Sequence, residues 1–191
     1  MASSERLSSL AAVGATREIL QAHGLATKHA LGQNFLVNDD VIKKIADLAG
    51  LVPDDFVLEV GPGIGTLTEA LLKCSGHVIS IERDRDLPAV LEGTLAEWAD
   101  RFALIQKDAL DLQETDLDAA CSQLGLSADV RPNKFVSNLP YAVAATIILD
   151  FFERFSFVDS ATVTVQREVG ERIMATPGTK NYGAYTVKLS L

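Results

Sequence analysis

Only two cysteines, Cys74 and Cys121, occur in the 191 residues. They are too few for a disulfide framework and too isolated for a zinc site. Three histidines, His23, His29 and His77, show neither metal-ligand nor catalytic-triad spacing and read as structural or surface residues. No apolar run approaches the ~20 residues that cross a bilayer. The apolar patch in MASSERLSSLAAVGATREIL is short and flanked by Glu5 and Glu18, which argues against a signal peptide. Basic side chains are scarce: 17 Lys and Arg against 26 Asp and Glu give a net charge of −9. That balance excludes a histone-like, wholly basic nucleic-acid binder. No internal repeat or low-complexity tract is present. What remains is a cytosolic, soluble, single-domain chain whose 48% apolar content can fill a core.

The net charge is unevenly spread. Residues 1–44 carry +1, residues 45–130 carry −12 and residues 131–191 carry +2. A polyanion would be repelled by the middle and tolerated by the ends. Most of the acidic block reads as solvated surface.

Hydrophobic periodicity gives an alternating chain of elements. Residues 16–24 read as a short helix, and VIKKIADLA as another, capped by Asp39 or Asp40 and ended by Gly50. Strands are expected at 56–60, 77–82, 101–108, 133–140 and 160–166, with a last one over AYTVKLSL at 184–191. Helices are expected over 66–74, 86–99, 116–125, 142–155 and REVGERIMA. Alternation of this kind implies an α/β fold with a mostly parallel, doubly wound sheet and helices on both faces. Ligands in such folds bind at the carboxyl ends of the strands, where strand order reverses. The last expected strand stops at Leu191 in mid-pattern, which reads as a chain cut from a longer protein.

Chemistry concentrates at those strand ends. EVGPGIG at 59–65 lies between a strand and a helix, and Gly61 and Gly63 let the backbone approach a ligand closely. A tight turn without a ligand is the plain alternative. The next strand ends in Glu82, whose carboxylate can accept both hydroxyls of a ribose. Together these features point to a nucleoside-containing cofactor. Thr66 stands where the dinucleotide fingerprint GxGxxG has its third glycine, which weakens a dinucleotide reading. Asp108 ends the third strand, where it can accept the exocyclic amine of an adenine or cap the following segment. Asn138, Leu139, Pro140 and Tyr141 end the fourth. The Asn138 side-chain oxygen and the carbonyl before Pro140 can both accept from one amino group. A planar exocyclic amine is a poor nucleophile because its lone pair is delocalised into the ring, and two such acceptors draw it towards tetrahedral geometry. Tyr141 offers a ring on which a base can stack.

Six motifs occur in order: LGQNFL at 31–36, EVGPGIG at 59–65, IERD at 81–84, KDAL at 107–110, NLPY at 138–141 and VQREVGERI at 165–173. In these the chain resembles the ribosomal RNA adenine N6,N6-dimethyltransferases, which dimethylate adjacent adenines near the 3′ end of small-subunit rRNA. The resemblance implies a Rossmann-like methyltransferase fold and S-adenosyl-L-methionine as cofactor. It implies that residues 1–38 form an N-terminal helical segment and cofactor lid, and residues 39–191 the catalytic domain, without the family's C-terminal helical domain. Gln33, Asn34 and Leu36 would meet the methionine end of the cofactor, and Gly61 and Gly63 would pass beneath it. Glu82 would hold the ribose and Asp108 the adenine. Asn138 would face both the sulfonium and the target amine, Leu139 and Pro140 would shape the acceptor pocket, and Tyr141 would stack on the target base. The resemblance also implies a small-subunit rRNA or pre-30S particle as partner, a monomeric state, no metal and no membrane. YGAYT at 182–186 departs from the family's usual YGRLS or YGSLS.

Three other readings compete. One is a macrolide-resistance methyltransferase acting on large-subunit rRNA, which shares NLPY-like motifs but fits the GQNFL and GERI contexts less well. Another is a non-catalytic rRNA-binding assembly factor, and the third is a nucleotide-dependent oxidoreductase. Phe151, Phe152, Phe155 and Phe157 read as core packing rather than a base-stacking platform. Arg167, Arg172 and Lys180 read as either phosphate contacts or a solvated face.

Overall fold

The computed structural model describes residues 6–25, 35–127 and 129–190. Gln33 and Asn34 lie outside the described residues.

Five parallel strands form one sheet in the order β3-β2-β1-β4-β5. They are β1 (Phe56–Val60), β2 (His77–Glu82), β3 (Phe102–Gln106), β4 (Lys134–Asn138) and β5 (Ser160–Thr164). Strand order reverses between β1 and β4, so the carboxyl ends of those two strands flank the crevice in which such sheets bind ligands. β1 and β2 are buried almost throughout, as parallel strands covered on both faces must be.

Eight helices surround the sheet among the described residues. They are α1 (Val13–Ala22), α2 (Asp39–Ala49), α3 (Thr66–Cys74), α4 (Pro88–Thr94), α5 (Glu114–Gln123), α6 (Ala144–Arg154), α7 (Arg167–Ile173) and α8 (Ala184–Ser190). Side chains alternate across each strand and feed two cores. Leu58, Ile79 and Phe135 meet α5 and α6 on one face, where Phe151 and Phe155 pack edge to face. Val57, Val78 and Val136 meet α2, α3 and α4 on the other. Phe151 and Phe155 therefore belong to the core, whereas Phe152 points outward and is half exposed.

Local chemistry sets the boundaries. Asn38 caps α2, its side chain accepting from the Asp40 N–H at 2.9 Å, while Asp39 and Asp40 occupy the first turn. Their charges suit the positive end of the helix, but the cap lies one residue earlier than expected. The helix expected over 86–99 is two pieces, α4 and a 3₁₀ turn at Ala96–Trp98.

The expected sixth strand over 184–191 is not formed: Ala184–Ser190 is helical. Tyr185, Thr186 and Leu189 turn inwards while Val187 and Lys188 face solvent. Leu189 joins the α5–α6 core, and Thr186 Oγ1 donates to the Arg172 carbonyl at 2.7 Å. A spacing of four satisfies both a period of 2 and one of 3.6, and packing against α6 and α7 decides for the helix.

Candidate active site

One cavity of about 740 Å³ opens at the carboxyl ends of β1, β2 and β4. Leu36, Gly61, Gly63, Glu82, Asp108, Asn138, Leu139, Pro140 and Tyr141 all line it. Residues drawn from five separate motifs of the chain thus line one cavity.

The glycine turn builds the floor. Gly61 and Gly63 have φ of +71° and +61°, the left-handed region that side-chain-bearing residues avoid. The Gly61 N–H donates to the Ile81 carbonyl at 2.9 Å, which ties the turn to β2. A Cβ on Gly63 would stand 3.2 Å from the Phe35 ring, and one on Gly61 would stand 3.5 Å from Pro140. The turn is therefore pressed between the segment after GQN and the NLPY loop. Gly65 then leads into α3, whose first residue is Thr66.

Glu82 ends β2 and is 7% exposed. One carboxylate oxygen accepts from the Asp84 N–H at 2.8 Å, and backbone N–H groups of Gly63 and Arg83 also donate to it. Burial nevertheless wins and raises its pKa above the ordinary range, helped by the charge of Asp84. Asp108 caps the 3₁₀ turn Ala109–Asp111, accepting from the Leu110 N–H at 3.1 Å. The capping role open from sequence is thus real, and the same carboxylate also lines the cavity. Its other oxygen accepts from Arg83 at 3.2 Å, a pair exposed enough to be worth little by itself.

β4 delivers the NLPY turn. Ser137 Oγ donates to the Val60 carbonyl at 2.6 Å and locks β4 against β1 across the switch point. The Leu139 N–H donates to the Thr164 carbonyl at 3.2 Å, extending the pairing with β5 by one residue. Leu139 is buried, and Asn138 is half-buried at the cavity wall. Pro140 cannot donate, but its carbonyl accepts from Val143 and Ala144 and starts α6. Tyr141 is left 43% exposed at the mouth.

Two further groups, Glu59 and Thr66, line the same cavity. Glu59, at the carboxyl end of β1, is 1% exposed; its Oε2 accepts from Ser80 Oγ at 2.6 Å and from Thr68 Oγ1 at 2.7 Å. Burial outweighs those bonds and raises its pKa to about 7, with the nearby Glu82 charge adding to the rise. Thr66 is 3% exposed and its hydroxyl has no hydrogen-bond partner. The signal for Glu59 was in the sequence: a lone carboxylate inside the apolar strand FVLEV. Thr66 gave none beyond its place after the glycines. Among the described residues no group of three or more His, Cys, Asp or Glu could hold a metal ion. Nor is any helix there long and apolar enough to cross a membrane.

Comparison with known proteins converges on one group. The model of the family described as "Ribosomal RNA adenine dimethylase" matches residues 24–191. A ribosomal RNA small subunit methyltransferase A of Listeria welshimeri is 38% identical over 180 residues, 94% of this chain and 59% of that protein. The protein of the same name from Pediococcus pentosaceus is 40% identical over 177 residues, 90% of this chain and 56% of that one. Among solved structures, a dimethyladenosine transferase from Plasmodium falciparum superposes with a TM-score of 0.66 at 23% identity, over 80% of this chain and 50% of its own. The 23S rRNA methyltransferase ErmE superposes with a TM-score of 0.58 at 28% identity, over 73% of this chain and 50% of its own. The parallel sheet is the one expected from the alternating elements, and the fold is the Rossmann-like methyltransferase fold that the resemblance implied. The chain spans less than two thirds of the length of the curated relatives it matches.

Proposed function

The chain belongs to the ribosomal RNA adenine dimethylase family, and on that premise we propose that it carries the catalytic part of an S-adenosyl-L-methionine-dependent enzyme. The reaction is dimethylation of the N6 amine of two adjacent adenines near the 3′ end of small-subunit rRNA. The observation that carries this reading is the shared cavity: Glu82 and Asp108, suited to accept from a ribose and an adenine, line the same cavity as Asn138 to Tyr141. Relatives at 38% and 40% identity bear small-subunit names, which favours that branch over the large-subunit one.

The residues present fit the cofactor. The cavity is of the size that takes small cofactors, acidic side chains end β2 and flank β3, and an unpartnered buried hydroxyl, Thr66, lines it. When bound, S-adenosyl-L-methionine supplies an electrophilic methyl group on a positively charged sulfur. Glu82 accepts the ribose hydroxyls and Asp108 the adenine amine, while Gly61 and Gly63 leave room for the ligand above the turn. Leu36, which lines the cavity, meets the methionine end, and the resemblance assigns Gln33 and Asn34 to the same end and residues 1–38 to a cofactor lid on the catalytic domain 39–191.

The acceptor side works by holding an amine. A target adenine is turned out of its RNA stack into the pocket. Tyr141, exposed at the mouth, stacks on it, an interaction worth about 1–3 kcal/mol per base. The Asn138 side-chain oxygen and the Leu139 carbonyl accept the two amine hydrogens and turn the lone pair towards the methyl group. Positioning supplies most of the rate, and no residue is needed as a strong general base. The monomethylated amine has one hydrogen left and one acceptor still serves it, so a second transfer follows. The partner is a small-subunit rRNA or pre-30S particle in the cytoplasm, and the enzyme acts as a monomer.

Calorimetric titration of the protein with S-adenosyl-L-methionine, with NAD as control, tests the cofactor. The full-length protein is then assayed on under-methylated small ribosomal subunits. Binding of the first ligand alone followed by transfer to adenine N6 supports the reading. Binding of NAD instead, or cofactor binding without transfer by the full-length protein, overturns it.

A further inference from the structure

Glu59 is a buried carboxylate of the cavity wall that the proposed reaction leaves without a task. Its Oε2 is taken by Thr68 and Ser80, and among the described residues no further hydrogen bond or ion pair engages the carboxylate. Among the described residues the groups around it offer no compensation. From β2 comes the acidic Glu82, and from α3 the neutral Thr66 and Thr68. Glu69 and Lys73 of α3 are spent on each other and on Ser8 and Ser9. β4 brings the neutral Asn138. Farther round the cavity, Arg83 pairs with Asp108 and Lys107 with Asp116, while Asp84 and Arg85 sit at the rim.

A carboxylate 1% exposed with no cation beside it is costly to ionise. It must hold a proton or face a positive ligand. Without a ligand the proton stays on up to neutral pH, in keeping with a pKa of about 7. A cation in the cavity reverses the balance, because in this low-dielectric wall an opposite charge favours the ionised form.

Resting on the cofactor reading above, we propose that Glu59 trades its proton for the positive charge of the cofactor, so that binding expels a proton and Glu59 selects cationic over neutral occupants of the cavity. The exchange balances: the neutral acid and the cation become a carboxylate–cation pair, and the proton passes to the buffer. The proton competes with the ligand, so affinity rises with pH and levels off above 7. From pH 6 to pH 7 the expected gain is about fivefold.

The test is calorimetric titration of the wild-type protein at pH 6.5 in two buffers of different ionisation enthalpy. The probes are S-adenosyl-L-methionine and the uncharged nucleoside 5′-methylthioadenosine. About 0.75 proton released per cationic ligand, and none with the neutral one, is expected. Glu59→Gln should abolish the release and weaken the cationic ligand several-fold while leaving 5′-methylthioadenosine within twofold. Equal proton numbers for the two ligands, or none for either, overturn the exchange while leaving the nucleoside site standing. Failure of both ligands to bind overturns the cofactor reading and the exchange together. The wild-type measurement decides without depending on the folding of the variant.

Discussion

Replacing Glu59 by Gln should stabilise the unliganded protein at alkaline pH and leave it unchanged in acid. Gln keeps the volume and an amide oxygen able to accept from Thr68 and Ser80. It removes the ionisable group. Folding raises the Glu59 pKa from 4.5 to about 7, so its contribution to stability is fully present below pH 4.5 and is lost as pH rises through 7. At 1.36 kcal/mol per pH unit, the wild-type protein forfeits about 3 kcal/mol between those limits. Gln forfeits nothing there. Urea denaturation of both proteins, followed by circular dichroism and tryptophan fluorescence, should give equal stabilities at pH 4.5. At pH 8 the variant should lead by about 3 kcal/mol, or roughly 6–12 °C in Tm for a chain of this size. A stability difference that is the same at pH 4.5 and pH 8 would refute the account of a costly buried charge. A less stable variant at pH 8 would mean that the charged form is held by a partner in the folded state.

Other outcomes follow from the same cavity. Tyr141→Ala should slow methyl transfer strongly and leave cofactor affinity unchanged, because the ring is at the mouth and 43% exposed; normal turnover in a single-turnover assay removes the stacking role. Asn138→Ala should abolish transfer, and measurable dimethyladenosine on mass spectrometry of treated rRNA counts against its holding the amine. Glu82→Ala and Asp108→Ala should each weaken the cofactor at least several-fold by calorimetry, and unchanged affinity in both sinks the assigned site. Gly63→Ala places a methyl 3.2 Å from Phe35 on a backbone at φ +61°. It should cost about 1–2 kcal/mol in urea denaturation and also weaken the cofactor, so an unstrained, tightly binding variant contradicts the pressed turn.

Much of the architecture could be read from period and punctuation. Five strands stand where the short apolar runs predict them, and the EVGPGIG turn sits between β1 and α3 as its glycines demand. These are local effects: three positive φ angles in five residues leave the chain few alternatives. The failures were local ambiguities settled by distant partners. Tyr185 and Leu189 fit a strand or a helix equally well until α6 and α7 supplied the surface that takes them. The long helix expected over 86–99 breaks at Leu95, whose φ of −112° and ψ of 17° leave the helical region. Leu95 is buried with α2 and α3, so packing into that core accompanies the break.

Residue types at strand ends, the order of the six motifs and the apolar periods were properties of the sequence alone. They led to the family, because side-chain chemistry and spacing along the chain are carried by covalent order. The strand order β3-β2-β1-β4-β5 was not. It brings Glu82 and Asn138, 56 positions apart, to opposite sides of one crevice. Only the folded sheet shows that, among the described residues, Glu59 lacks a cation and the Thr66 hydroxyl lacks a partner. Burial and partnership depend on which surfaces meet in space, and a charge becomes costly only once water has been excluded from it.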